Sequence, residues 1–343
     1  MDTQQSYKIW FGLLIALLLF IFFLNLSLGS IGIPPDEVFS ALLGQGTSKS
    51  SWDYIIIDYR LPKALTAVMA GGGLAVSGLL MQTLFRNPLA GPFVLGLSSG
   101  ASLGVALLIL GAGAFGGFLG SLLLSQWSLV IASALGSFLV LLAVLAVTLR
   151  IKDSMAILII GLMFGSVTAA VVAVLSYFSN AERLQQYIFW SFGSLGNQSW
   201  EGILILSLCS LLGILIALSS CKALNALLLG EHYAKSMGLR IKRTTIFIIF
   251  ATSILAGSIT AFAGPIAFVG LAVPHLARQF FTTSNHFILL PAVLLCGAIL
   301  MLVCDTIAQL PYSEYTLPIN AITSLVGAPV VIWLLLRKRK LLF

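Results

Sequence analysis

Two overlapping G-x-S-x-G segments, Gly96-Leu-Ser-Ser-Gly100 and Gly100-Ala-Ser-Leu-Gly104, carry the residues that in a sharp turn present a serine hydroxyl as a nucleophile. Such a serine works only with a base in reach. The three histidines, His232, His275 and His286, belong to loops or loop-proximal ends of other segments, and none stands in an H-E-x-x-H pair. The same glycines, Gly96, Gly100 and Gly104, make a tandem G-x-x-x-G that Gly161 and Gly165 repeat, a spacing that lets helices approach closely. Close packing is the expected role, and neither a catalytic residue nor a metal-ligand set is expected. Cys209, Cys221, Cys296 and Cys304 show no C-x-x-C spacing and read as small packing residues.

The elements that position these residues must live in lipid. Of 343 residues, 59% are hydrophobic and 8% charged, against about 25% charged in soluble domains, and the mean hydropathy is +1.08. A cytosolic enzyme, a secreted module and a nucleic-acid-binding protein are excluded, since the formal charge of +7 is scattered between apolar blocks. The bilayer is the first partner.

Uncharged apolar runs long enough to cross a core of about 30 Å cover 9–28, 64–85, 93–113, 127–149, 154–177, 202–221, 287–304 and 317–336. Residues 244–277 form one further uncharged stretch, about 51 Å long as a single helix and too long for one pass. Gly264 and Pro265 predict a break there, giving spans over 244–263 and 264–277. That makes about ten transmembrane helices in an all-α polytopic chain with both termini in the cytoplasm. Lys and Arg agree: Lys8, Arg86, Arg150, Lys152, Lys222, Lys235, Arg240, Lys242, Arg243, Arg278, Arg337, Lys338, Arg339 and Lys340 fall inside, and Lys49, Arg60, Lys63 and Arg183 outside. The first run is longer than a signal-peptide core and has no small-x-small site after it, so it is expected to be a retained helix.

Gly91-Pro-Phe-Val-Leu-Gly-Leu97 and Gly264-Pro-Ile-Ala-Phe-Val-Gly-Leu271 open spans from opposite sides, which suggests an inverted repeat of helices 2–5 and 7–10. An ion-coupled secondary transporter of a small organic solute is the alternative. It usually needs ionisable residues at mid-membrane, whereas the acids here, Asp305 included, are expected in loops or near span ends. Inside, the segment 222–243 alternates apolar and charged residues between glycines and reads as short helices lying on the membrane, a platform that a partner can grip.

The run Arg60-Leu-Pro-Lys63, Gly73-Leu-Ala-Val-Ser-Gly78, Gln82, Arg86-Asn-Pro-Leu-Ala90 and Gly96-Leu-Ser-Ser-Gly-Ala101 resembles the FecCD-type permeases of ABC importers, which take up iron-siderophores, haem and cobalamin. Trp190-Ser-Phe-Gly-Ser-Leu195, Leu228-Leu-Gly-Glu231, Ser236-Met-Gly238, Phe268-Val-Gly-Leu271, Pro274-His-Leu-Ala-Arg278, Asp305-Thr306 and Gly327-Ala-Pro329 extend the resemblance to residue 336. It implies one permease domain over 1–343 in the bacterial inner membrane, a second permease subunit, a substrate-binding protein, and separate ATPase subunits that use ATP and Mg. The chain has no G-x-x-x-x-G-K-[ST] loop and is expected to bind no cofactor itself.

The resemblance further implies roles for residues. Gly230, Glu231, Ala234, Ser236 and Gly238 would couple to the ATPase. Gly165, Ser166 and Thr168 in one helix, and Asn320, Thr323 and Ser324 in another, would line the pathway, with Lys152, Asp153 and Ser154 at the inner gate. Arg60 and Lys63 would receive acids of the binding protein, a local salt bridge to Asp58 or another acid being the alternative. Two departures from the family pattern, Gln309 for a frequent arginine and Asn320 for a glycine, both lie at the outer side.

Overall fold

The structure, a computed structural model, describes residues 3–111, 126–150, 154–196 and 198–336. The helices are α1 Thr3–Ser27, α2 Pro35–Leu42, α3 Ser50–Tyr54, α4 Leu61–Leu84, α5 Leu97–Ile109, α6 Gln126–Arg150, α7 Ser154–Tyr177, α8 Ala181–Ser191, α9 Trp200–Ser219, α10 Cys221–Leu228, α11 Glu231–Ser236, α12 Ile241–Ala263, α13 Val269–Phe280, α14 His286–Ala308 and α15 Ile319–Leu336. A π-helical turn, Ile55–Arg60, joins α3 to α4, and a 3-10 turn, Pro92–Leu95, precedes α5.

The chain is an all-α, polytopic membrane protein. Among the described residues, seven helical segments are long and apolar enough to cross a bilayer: Tyr7–Ser27, Ser50–Leu84, Trp127–Val147, Ile159–Tyr177, Trp200–Ser219, Ile241–Ala263 and His286–Ala308. Three expected spans are shorter as helices. α5 has 13 residues and α13 has 12, about 20 and 18 Å, and the apolar stretch of α15 is Ile319–Trp333. The long uncharged stretch ends its first helix at Ala263; Gly264 has φ 74°, and α13 begins at Val269 after Phe268 at φ 64°.

α4 is the hub. From Ala70 to Leu84 every residue is buried, against α9, α12, α13 and α14. Lipid offers no hydrophobic drive for helix association, so close packing must hold the bundle. At Gly71 and Gly297 the backbones of α4 and α14 touch: a Cβ on either glycine would collide with the other's carbonyl oxygen. Gly100 of α5 and Gly136 of α6 meet in the same way, and a Cβ on Gly104 would collide with the Ala132 carbonyl of α6, which is what the tandem G-x-x-x-G serves. The first helix packs on α14 and on the end of α13, where Trp10 lies 5.2 Å from Phe280 and Phe11 4.8 Å from Phe281 between ring centroids.

Gly71→Val should destabilise the protein by about 3 kcal/mol, because backbone and not a movable side chain opposes the new atoms. Gly12→Ala, with nothing within 4 Å, should be neutral. Thermal unfolding in detergent checks both; an unchanged midpoint for Gly71→Val would overturn the hub contact.

Candidate functional site

The two ends of α4 carry the residues of interest. At its C-terminal end, α10 and α11 form a hairpin that turns at Gly230, φ 110°, and ends at Gly238, φ 83°. Leu224, Leu227 and Ala234 are buried beneath it, while Leu229, Tyr233 and Met237 are 63%, 54% and 62% exposed. Arg86, held at φ 47°, donates from Nη2 to the Leu228 carbonyl at 2.9 Å. A cleft of about 870 Å³ opens between Thr83–Arg86 and the hairpin, bounded also by Ile241 and Thr245 of α12. Gly230, Glu231 and Ser236, three of the five expected coupling residues, line it. Ala234 lies buried under the hairpin, and Gly238 has open space around its Cα. Glu231 pairs with Lys235 at 3.8 Å on the exposed surface, worth only a few tenths of a kcal/mol.

The expected pathway residues separate into two groups. Gly165 and Thr168 of α7 line a cavity of about 400 Å³ with Ser98, Ser99 and Ser102 of α5, Tyr187 of α8 and Pro265. The two G-x-S-x-G serines thus face a cavity that none of the three histidines lines. Ser102 hydrogen-bonds the Tyr187 hydroxyl, His275 lies 2.8 Å from the Pro88 carbonyl, and His286 bonds Thr83 and Asn225. Ser166 is on the exposed side of α7, its hydroxyl donating to the Leu162 carbonyl at 3.2 Å.

On α15, Asn320 is held by hydrogen bonds to two other segments. Its Oδ1 accepts the Ala267 N–H at 3.0 Å and its own N–H donates to the Phe192 carbonyl at 3.2 Å. Thr323 and Ser324 donate back to the Asn320 carbonyl at 3.1 and 2.6 Å. Lys152 and Asp153 lie outside the described residues, and Ser154 opens α7.

At the N-terminal end of α4, Arg60 is 5% exposed. Its guanidinium donates to the carbonyls of Leu26 at 2.8 Å and Ser27 at 2.9 Å, and to that of Ile31. The first two are carbonyls that the end of α1 leaves without helical partners and the third belongs to the loop after it, so Arg60 fastens α1 to α4 with its guanidinium turned inward. Lys63 pairs with Asp305 at 3.0 Å, the side chains 12% and 2% exposed. Asp305 also accepts the amides of Asn25 at 3.0 Å and Gln309 at 2.7 Å, and Asn25 donates to Thr306 at 2.9 Å. Lys63 and Asp305 border a cavity of about 350 Å³ whose other walls include Tyr59, Gly193, Ser194 and Pro318.

Asp305 lies near the end of its span, as expected, and Lys63 takes the alternative expected for it, a salt bridge to another acid. Asp305 is a buried carboxylate within α14, because that helix continues to Ala308 and turns the acid onto α4 and α1. The basic residues Arg60 and Lys63 are engaged within the chain, the partner acid of Lys63 being Asp305. Asn25, an amide inside the first apolar run, was the available signal that this run has a polar partner.

The sequence matches the FecCD transport family over residues 17–337. It is 34% identical over 341 residues to the hemin transport system permease protein HmuU of Yersinia pestis, covering 99% of both chains. To the vitamin B12 import system permease protein BtuC of Klebsiella pneumoniae it is 36% identical, covering 99% of this chain and 96% of that one. A solved structure assigned to the metal-chelate type of ABC transporter, in an inward-facing conformation, superposes with a TM-score of 0.83 at 32% identity, covering 96% and 99% of the two chains. The chain belongs to the FecCD transport family: it is a permease subunit of the ABC-importer type, a multi-pass protein of the bacterial inner membrane.

Lys63→Met leaves Asp305 buried with only amide donors and should cost roughly 3 kcal/mol. Lys63→Met with Asp305→Asn should recover most of that loss. Unfolding midpoints of the single and double variants decide it, equal midpoints for both arguing against a net buried pair.

Proposed function

We propose that the chain is one of two permease subunits through which an ATP-driven importer moves a metal chelate, such as haem, cobalamin or an iron-siderophore, into the cytoplasm by alternating access. The observation that carries this reading is the α10–α11 hairpin. A chain without a phosphate loop presents exposed Leu229, Tyr233 and Met237 beside a cleft of about 870 Å³, the apolar surface that a separate ATPase would cover. ATP and Mg belong to that partner; the chain itself binds no cofactor in this reading. Relatives named for hemin transport and vitamin B12 import support the substrate class.

In this reading the chain forms one domain with ten crossings and cytoplasmic termini. Segment 222–243 is its coupling element, and Lys152, Asp153 and Ser154 form the inner gate. An inverted repeat of helices 2–5 and 7–10 is supported by the two Gly-Pro segments. Each passes through a left-handed residue, Gly96 at φ 73° or Phe268 at φ 64°, directly into a short helix. Gly165 and Thr168 of α7, joined by the α5 serines at their shared cavity, line the pathway. At the outer side, docking of the binding protein rests on Lys63, whose ammonium an incoming acid reaches by competing with Asp305, while Arg60 fixes the helix that presents it.

Purified with its ATPase and binding protein in vesicles, the complex should import hemin, cyanocobalamin or a ferric hydroxamate with ATP hydrolysis. Gly238→Leu forces a side chain into a left-handed backbone at a cost of about 1 kcal/mol and obstructs the hairpin surface. It should abolish uptake while the permease still inserts. Uptake unchanged, with ATP hydrolysis also unchanged, would remove the hairpin from coupling.

A further inference from the structure

The α10–α11 hairpin is tied to the transmembrane body by a hydrogen-bonded joint beside the cleft, which shares only Thr83 with its walls. Asn225 lies in α10, and His286 is the first residue of α14, whose N-cap is Asn285. The Asn225 amide makes three bonds to that first turn. Nδ2 donates to Asn285 Oδ1 at 2.9 Å, and Oδ1 accepts the His286 N–H at 2.9 Å and faces His286 Nδ1 at 2.7 Å. One of those donors is a backbone N–H that a helix start leaves without an intrahelical partner.

The chemistry of the contact is directional. Because Nδ2 is committed as a donor to Asn285, the atom facing His286 is an acceptor, so Nδ1 carries the proton. The other ring nitrogen, Nε2, lies 2.8 Å from Thr83 Oγ1 at the end of α4, and that hydroxyl is also 3.0 Å from the Leu79 carbonyl. Thr83 and His286 are 0% and 1% exposed. Three helices, α10, α14 and α4, are therefore joined by a single imidazole that is bonded on both sides.

What lies beyond the joint makes it more than a local tie. α4 and α14 run antiparallel in one register: Thr83 meets His286, Gly71 meets Gly297, and Lys63 meets Asp305. The first and last of these contacts are about 30 Å apart along α4. With backbone contact in the middle and polar bonds at both ends, the pair has no room to slide, so a displacement applied at its hairpin end arrives at the Lys63–Asp305 end.

We propose that Asn225, His286 and Thr83 are positioning residues through which movement of the α10–α11 hairpin is passed to the α4–α14 pair and on to the outer cavity. This rests on the permease reading. A residue that merely stabilised the fold would lower the amount of protein and leave the stoichiometry of transport alone. A positioning residue changes how much substrate moves for each ATP hydrolysed.

The test uses the complete complex, permease with ATPase and binding protein, in vesicles, with hemin, cyanocobalamin and a ferric hydroxamate as probes. Asn225→Leu keeps the volume and removes all three bonds, and uptake per ATP hydrolysed should fall about tenfold. Asn225→Asp retains an acceptor for both His286 donors and should return the ratio to within about twofold of wild type. Thr83→Val, isosteric and buried, cuts only the link to α4 and should lower the ratio by about threefold, which keeps the test decisive if Asn225→Leu fails to fold. A wild-type ratio in Thr83→Val or Asn225→Leu, or equal losses in Asn225→Leu and Asn225→Asp, would overturn the joint. A wild-type complex that assembles and hydrolyses ATP yet imports none of the probes would instead overturn the permease reading, and the joint with it.

Discussion

The contact of α4 with α14 at Gly71 and Gly297 fixes how near two helix backbones can come, and the rest of the bundle is arranged around that distance. In water a gap between helices is closed by hydrophobic burial; in lipid a tail fills it equally well. Only dispersion at close range and polar bonds between backbones and side chains then favour protein over lipid as a neighbour. The glycine pair brings α4 and α14 close enough for side chains eight to twelve positions away on either side to meet across the interface. Lys63 reaches Asp305 and Thr83 reaches His286 for this reason. Larger residues at the glycines would separate both polar pairs together.

Buried charges in an apolar layer persist only when paired and hydrogen-bonded, since an unpaired ion there costs several kcal/mol. Arg60 directs its guanidinium to three carbonyls at the end of α1 and its following loop. Asp305 takes an ammonium and two amides. Gln309 supplies one of those amides from the next turn of α14 without setting a second positive charge beside Lys63. An arginine at that position would add a cation to a site that one carboxylate already balances. The glutamine therefore belongs to a self-contained pair.

Much of the fold was legible because lipid simplifies the code. Uniform apolar runs gave the long helices, and Gly264-Pro265 gave the break after Ala263. Three features were not legible, for related reasons. α5 read as a full crossing and α13 as a short span that starts at the break, because apolar composition continues through the turns that precede them, and no residue type announces that Phe268 takes a left-handed backbone. Asp305 read as an acid near a span end, but its burial and its partner Lys63 did not show, because Lys63 is more than two hundred positions away. Asn320 read as a pathway polar residue, and the bond of its amide to Ala267 in the break did not show. Each depends on a tertiary hydrogen bond, which leaves no periodic trace. The bends at Gly230 and Gly238 on either side of α11 were easier to read, since a bend at a glycine is a local property.

That locality has a limit. α11 has six residues and α10 eight, far below the length at which a helix is stable alone. Their order comes from elsewhere: Ala234 and Leu227 buried beneath them, the Arg86 guanidinium on the Leu228 carbonyl, and the Asn225 amide on the first turn of α14. The hairpin is thus a rigid surface only while α4 and α14 hold it. A force applied to Leu229 or Tyr233 cannot be absorbed by unwinding two short helices unless those side-chain bonds break first. Rigidity borrowed from the hub is what lets so small an element act on the whole bundle.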